Sequence, residues 1–190
     1  LSRCPGIFEL LNYGYIVRSW CDFKIKIPKD TTEEGTFYCD FPKRLNVGRP
    51  LVEGNFNNIM KFVPRPKGTL NNVFKVYTLW HIIAPKGLKF LFLPLPYPDN
   101  FEFYNAPGIL DPSIAAEINL QLFWNVSGSH FIKAGTPLGQ LIPLTEENYD
   151  FICRDMNTND ENWLRKFDFY KKHSFNRMLH IRNKIKEMYE

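Results

Sequence analysis

The alternation of apolar and polar residues predicts short β-strands along most of the chain. Within residues 14–28, Phe23, Ile25 and Ile27 alternate with two lysines, which is typical of a half-buried strand. Other apolar or alternating runs bounded by turn residues indicate further strands. They lie near 36–39, at 73–84, 88–93, 101–104, 116–125 and 130–133, and within 133–144.

A helical period replaces this alternation near the C-terminus. From Asp160 onward, apolar residues recur mostly three, four or seven positions apart, which predicts a basic amphipathic helix over residues 160–190 with Asp160 as its N-cap. Fourteen prolines and eleven glycines interrupt the chain before this point, so we expect helix only at this end. The predicted organisation is a β-rich domain over residues 1–145, a linker over 146–159 and the C-terminal helix.

Composition favours a mainly β protein with one principal core. Apolar residues form 44% of the chain and aromatic residues 16%, and so many rings are best buried on pleated sheets. The net charge of +4 lies in the tail, since residues 161–190 hold eight basic and four acidic side chains. The four cysteines lack metal-ligand spacing, so we expect neither a metal nor a cofactor. No apolar run approaches a membrane span, so we expect an intracellular protein without membrane contact.

Three motifs follow one another over residues 108–143. They read GILD at 108–111, EINLQLFW at 117–124 and KAGTPLGQLIP at 133–143. Their order and spacing resemble those of the trimeric dUTPase and dCTP deaminase superfamily. The resemblance implies a dUTPase-like β-clip fold, a homotrimer and a nucleotide-facing hairpin beginning at Gly108. The chain also resembles a group of uncharacterised bacteriophage proteins with the same Gly-Thr-Pro-x-x-Gln ending, which implies a place in the host cytoplasm or the virion.

The resemblance gives roles to four residues. Asp111 matches the carboxylate that assists water activation in the hydrolases, so it is the candidate catalytic residue. Gly108, Gln121 and Gln140 are the candidate ligand-binding residues, Gln140 matching a position near the phosphates. The residues alone leave other interpretations open. Asp111 followed by Pro112 is also an ordinary turn, and Gln140 also suits a strand end where it satisfies backbone groups.

Four differences from the family pattern argue against triphosphate hydrolysis. Ile114 stands where the family has an aromatic residue, and Ala116 stands where it has a glycine. Gln121 aligns with the deaminase glutamate, and an amide cannot exchange a proton in that role. The phosphate-binding loop aligns with Pro-Leu-Pro-Tyr-Pro at residues 94–98, where prolines remove backbone donors.

These observations favour a non-catalytic oligomeric binding or structural protein on a dUTPase-like scaffold. One alternative is a divergent nucleotide or phosphate hydrolase in which Asp111 activates water and cations come from Arg65, Lys67 or the tail. The simplest interpretation of the basic tail is a solvated helix face that covers the domain. A second alternative is contact of the tail with nucleic acid or a protein partner. The tail cations available for such contact are Lys171, Lys172, Arg177, Arg182, Lys184 and Lys186. For a protein partner, the candidate apolar anchors are Trp163, Phe167 and Tyr170.

Overall fold

The structure is a computed structural model, and it describes residues 4–28, 37–42, 50–54, 66–98 and 101–165. Two compact units divide the chain, Leu1–Thr145 and Glu146–Glu190. The described part of the first unit contains one helix, α1 (Pro5–Asn12), and otherwise strands. The strands are β1 (Tyr15–Arg18), β2 (Phe23–Ile27), β3 (Tyr38–Asp40), β4 (Val52–Gly54), β5 (Val73–His81), β6 (Phe90–Leu93), β7 (Phe103–Asn105), β8 (Gly108–Leu110), β9 (Glu117–Trp124), β10 (Gly128–Ile132) and β11 (Pro137–Pro143).

These strands form three antiparallel sheets, which confirms the prediction of a mainly β protein. Sheet A has the order β1-β11-β6-β8, sheet B the order β10-β2-β3, and sheet C the order β4-β5-β9-β7. Two segments lead from one of sheets A and B to the other, residues 19–22 between β1 and β2 and residues 133–136 between β10 and β11. Ser19 N donates to Thr136 O at 2.8 Å and Gly135 N donates to Ser19 O at 2.7 Å, so the two bends support each other.

The centre of sheet C forms much of the core. β9 alternates as predicted, so that Leu120, Leu122 and Trp124 are at most 1% exposed. Phe74 of β5 lies opposite Leu122 and is also fully buried. The Trp124 ring stacks on Phe103 of the neighbouring strand, with centroids 5.6 Å apart. This packing fixes one side of β9 and leaves its other side for the site described below.

The expectation that helix occurs only at the C-terminal end is wrong, because α1 lies near the other end. Pro5 is the first residue of the helix, where its missing N–H costs no hydrogen bond. None of the residues of α1 is buried. The strand predicted within 14–28 is likewise two strands, since the bend at residues 19–22 separates β1 from β2. β4 is not among the strands predicted from the sequence.

In the second unit, residues 158–165 are helical and the helix has a different N-cap from the one predicted. Asn157 Oδ1 accepts hydrogen bonds from the backbone N of Asn159 and Asp160, both at 3.0 Å. In return, Asp160 Oδ2 accepts from Asn157 N at 2.9 Å, which is the reciprocal arrangement of a capping box. Asp160 therefore lies inside the first turn, and Asn157 is the N-cap. None of the described helices has the length and apolarity to cross a membrane.

Candidate functional site

The motif at residues 108–124 forms a corner between two sheets. β8 pairs with β6 in sheet A, whereas β9 pairs with β5 and β7 in sheet C. The turn between β8 and β9 is closed by Asp111 O, which accepts hydrogen bonds from the N of Ile114 and of Ala115, each at 2.9 Å. The segment is thus a sheet-to-sheet corner and not the two-stranded hairpin that the resemblance implies, since each strand has its partners in a different sheet.

The Asp111 carboxylate is engaged by the corner itself. Its Oδ1 accepts hydrogen bonds from Ser113 N at 3.0 Å and from Ser113 Oγ at 2.5 Å, and its Oδ2 lies 3.5 Å from Lys89 Nζ. The Ser113 hydroxyl, followed by the Ser113 backbone N–H and Lys89, holds the pKa of Asp111 below its ordinary value. A carboxylate with a lowered pKa is a weaker proton acceptor. The contacts therefore match the turn interpretation of Asp111.

A cleft of about 380 Å³ opens between β8 and β9, beside this turn. It brings together two of the predicted ligand-binding residues, Gly108 and Gln121, while Asp111 is not part of its lining. Its walls are apolar, aromatic or amide groups. The lining residues are Pro66, Phe92, Tyr104, Ala106, Pro107, Gly108, Ile109, Leu110, Ile118, Asn119, Gln121 and Phe123. Within the described part of the chain, this lining carries no charged side chain.

Asn119 is a cleft residue that the sequence interpretation missed. Its Oδ1 is buried and has no hydrogen-bond partner in the described structure. Asn119 and Gln121 lie two positions apart on β9, so the alternation of a strand places both amides on the same side. This spacing was the signal that could have identified Asn119, once Gln121 was a candidate.

The cation nearest to these amides in the strand register is itself engaged. Lys75 lies opposite Gln121 on β5, and its Nζ sits 4.5 Å from the centroid of the Tyr77 ring. The Tyr77 hydroxyl donates to Glu53 Oε2 at 2.7 Å. These contacts hold Lys75 over a ring beside a carboxylate, an arrangement that stabilises the cation outside the cleft.

Gln140, the fourth predicted site residue, lies under α1 and does not line the cleft. It is 1% exposed, and its Nε2 donates to Leu10 O at 2.8 Å and to Tyr13 O at 2.5 Å. Carbonyl groups at the end of a helix lack partners within the helix. Gln140 adds donors for the carbonyls of Leu10 and Tyr13 and fastens the end of α1 to β11, as in the interpretation that gave it a backbone-satisfying role.

The loop aligned with the family's phosphate-binding segment lines a second, smaller cavity. This cavity of about 180 Å³ is formed mostly by residues 95–98, with Ile16, Pro137 and Arg18. Arg18 brings a guanidinium that the loop itself lacks, and its Nη1 donates to Gly135 O at 3.0 Å. The positions that depart from the family pattern, Ile114 and Ala116, are half-exposed and buried respectively.

The cysteines are free thiols. Burial, with smaller contributions from neighbouring carboxylates, raises the pKa of Cys21 to about 11 and that of Cys39 to about 12. Because the thiolate is the reactive form, these two residues are poor nucleophiles at neutral pH. No group of three or more His, Cys, Asp or Glu side chains in the described ranges is arranged to hold a metal ion.

The predicted tail contacts cannot be placed on this structure. Arg65 and the cations from Lys171 to Lys186 named above lie outside the described residues. Of the three predicted apolar anchors, Trp163 is described and is 38% exposed, whereas Phe167 and Tyr170 are outside the described ranges.

Comparisons with protein-family models, with curated proteins and with solved structures found no match. The fold and the site define a mainly β protein with three antiparallel sheets. A cleft whose described lining carries no charged side chain lies at a corner between two of these sheets.

Proposed function

We propose that this chain is a non-catalytic binding or structural protein that forms oligomers on a dUTPase-like β-clip scaffold. The observation that carries the proposal is the state of the Asp111 carboxylate. Ser113 and Lys89 hold it outside the lining of the cleft, with its pKa lowered. Water activation calls for a base placed beside the reacting atoms with a pKa near the working pH. At this corner, the cleft lies beside Asp111, but the Asp111 carboxylate stabilises its own turn and does not line the cleft.

The uncharged lining supports the same conclusion. Enzymes that transfer phosphoryl groups surround the phosphates with cations or backbone donors. The cleft presents aromatic rings, aliphatic side chains and two amides instead. Lys67 follows the lining residue Pro66, but it is not itself part of the lining.

Exposed apolar residues on α1 support an oligomer. Ile7, Phe8, Leu10 and Leu11 are each 38–47% exposed, although they lie within one short helix. Contiguous apolar surface of this kind is typical of protein interfaces. The proposed assembly is the homotrimer implied by the resemblance, and the proposed location is the virion or the host cytoplasm.

Product-detected assays of deoxynucleoside and ribonucleoside triphosphates test the absence of catalysis. The wild-type chain and Asp111→Asn should both show no turnover above buffer. Turnover that is present in the wild type and absent in Asp111→Asn would instead establish the competing hydrolase.

Light scattering tests the assembly. The wild-type mass should correspond to three copies, and Phe8→Asp should lower it because a charge on the apolar surface of α1 is costly to bury. Glu9→Gln on the same helix is the matched control and should leave the mass unchanged. A monomeric wild type would contradict the oligomeric part of the proposal.

The basic tail supports a second candidate function, contact with nucleic acid. Replacing its six named cations with glutamine in the full chain should abolish retention on DNA or RNA at low salt if phosphate contacts exist. Equal retention of the wild-type and substituted chains would dismiss this candidate.

A further inference from the structure

The cleft between β8 and β9 has the size of a small-molecule site. Its volume of about 380 Å³ lies in the lower part of the range of roughly 300–1,000 Å³ found for ligand pockets. The walls come from two different sheets, because β8 belongs to sheet A and β9 to sheet C. Residues on packed strands hold such a site more firmly than residues on loops.

The charge of the lining restricts the ligand. Among the described residues that face the cleft, none is ionised. A charged group placed there would lose its hydration without gaining a partner of opposite charge, which is strongly unfavourable. Lys75, beside Gln121 in the strand register, is already held over the Tyr77 ring. The described lining therefore favours a ligand, or a part of one, that is uncharged.

The aromatic side chains restrict its shape. Phe92, Tyr104 and Phe123 all line the cleft, and the rings of Tyr104 and Phe123 lie 6.4 Å apart with an interplanar angle of 45°. Of the three residues, Tyr104 is the most exposed, at 39%, and its ring offers a surface to a flat aromatic molecule. A planar ring system uses this surface better than a flexible aliphatic chain does.

Asn119 specifies one hydrogen bond. Asn119 lines the cleft, and its Oδ1 is buried and accepts no hydrogen bond from the described protein. Buried acceptors without a partner are rare because their lost hydration is not replaced. An N–H or O–H donor on a ligand would replace it.

We propose that this cleft binds an uncharged, planar aromatic molecule that donates a hydrogen bond to Asn119 Oδ1. The inference rests on the proposed non-catalytic function and specifies the class of ligand. It concerns an interaction that leaves the ligand chemically unchanged, so no reacting group is required at the site.

Three related probes test the chemistry on the full chain by amide NMR titration. Indole is planar, neutral and carries one N–H donor, 1-methylindole has the same rings without the donor, and indole-3-acetate adds a negative charge. Indole should bind saturably, and 1-methylindole should bind about tenfold more weakly, the usual effect of one buried hydrogen bond. Indole-3-acetate should bind more weakly than indole because its carboxylate has no cation in the lining.

Two substitutions with matched controls test the site. Asn119→Leu removes the acceptor at similar size, so it should weaken indole binding about tenfold and abolish the preference for indole over 1-methylindole. Gly108→Phe should block both probes, because the residue lines the cleft. The chain can accommodate this side chain, since an added Cβ meets no heavy atom within 4 Å. Gly6→Phe has the same open surroundings on α1 and should leave binding unchanged. Thermal melts verify that each variant folds.

The outcomes separate this inference from the proposed function. The inference is wrong if indole gives no saturable shifts, if Asn119→Leu keeps the preference for indole, or if Gly108→Phe binds as the wild type does. These binding results say nothing about nucleotide turnover, and only turnover would overturn the non-catalytic function. Conversely, triphosphate turnover together with normal indole binding would overturn the function and leave the cleft assignment standing.

Discussion

Replacing Asp111 with alanine should destabilise the protein, because this carboxylate holds the corner between β8 and β9. Alanine removes an acceptor that Ser113 N reaches at 3.0 Å and Ser113 Oγ reaches at 2.5 Å. It also removes the partner of Lys89 Nζ, 3.5 Å away. A catalytic acid would behave in the opposite way, since its removal usually leaves stability unchanged or raised.

The contacts set the size of the effect. The two hydrogen bonds to a charged, largely covered acceptor contribute together about 1–3 kcal/mol, and the ion pair with the half-exposed Lys89 adds at most about 1 kcal/mol. For a chain of this length, each kcal/mol corresponds to a melting-temperature change of about 2–4 °C. Asp111→Asn keeps one oxygen acceptor and should lose about half as much.

The effect should depend on pH in a defined direction. Because Ser113 and Lys89 lower the native pKa of Asp111 below its ordinary value of 3.8, the stabilisation is complete above that value. It disappears as the pH falls through the native pKa, where the carboxylate is protonated. The difference between the wild type and Asp111→Ala should therefore shrink on acidification.

Chemical denaturation of four chains measures this contribution. The wild type, Asp111→Ala, Ser113→Ala and the double variant form a cycle, in which the double variant should lose less stability than the sum of the two single variants, by about 1 kcal/mol or more. Asp150→Ala, at an exposed acid in the second unit, is the control and should change little. Unchanged stability in Asp111→Ala, or no coupling to Ser113, would refute the assignment of Asp111 to the turn.

Three further predictions test other contacts. Gln140→Met removes the donors to the carbonyls of Leu10 and Tyr13 at the end of α1, so the free energy of unfolding should fall by about 1–3 kcal/mol, with faster amide exchange in α1. Gly14→Ala places a methyl group against the Leu141 backbone at a φ of +79°, so denaturation should show a loss above about 1 kcal/mol, whereas Gly6→Ala should show none. Arg154 lowers the pKa of Asp160 to about 2, so circular dichroism should show the helix at 158–165 keeping its cap down to pH 4 and losing it towards pH 2, a dependence that Asp160→Asn should lack.

The longer strands were predictable because alternation over five or more residues is a clear signal. Phe23, Ile25 and Ile27 of β2 are buried and the lysines between them are exposed, as the pattern indicated. β4 and β8, with three residues each, were not predicted. Pairing was also beyond the pattern, because a turn sequence does not determine which sheet the next strand joins. For that reason the corner at residues 108–124 was interpreted as a hairpin.

The candidate site was predictable in part. The motif identified Gly108 and Gln121, which the fold places in one cleft, and the alternation of β9 extends this set to Asn119. The sequence allowed a backbone-satisfying role for Gln140, but its partners could not be identified, because Leu10 and Tyr13 are more than 120 residues away in the sequence. The contacts of Ser113 and Lys89 with the Asp111 carboxylate were also not predictable, since they depend on side-chain geometry.

The state of the Asp111 carboxyl group tests the central claim most directly, and carbon-13 NMR titration of that side chain in the full chain measures it. The account predicts a midpoint below the ordinary value of 3.8, with chemical shifts of the Ser113 amide following the same titration. A midpoint above 3.8 would contradict it, because the acid would then be free of its turn and nearer to the pKa that a general base needs.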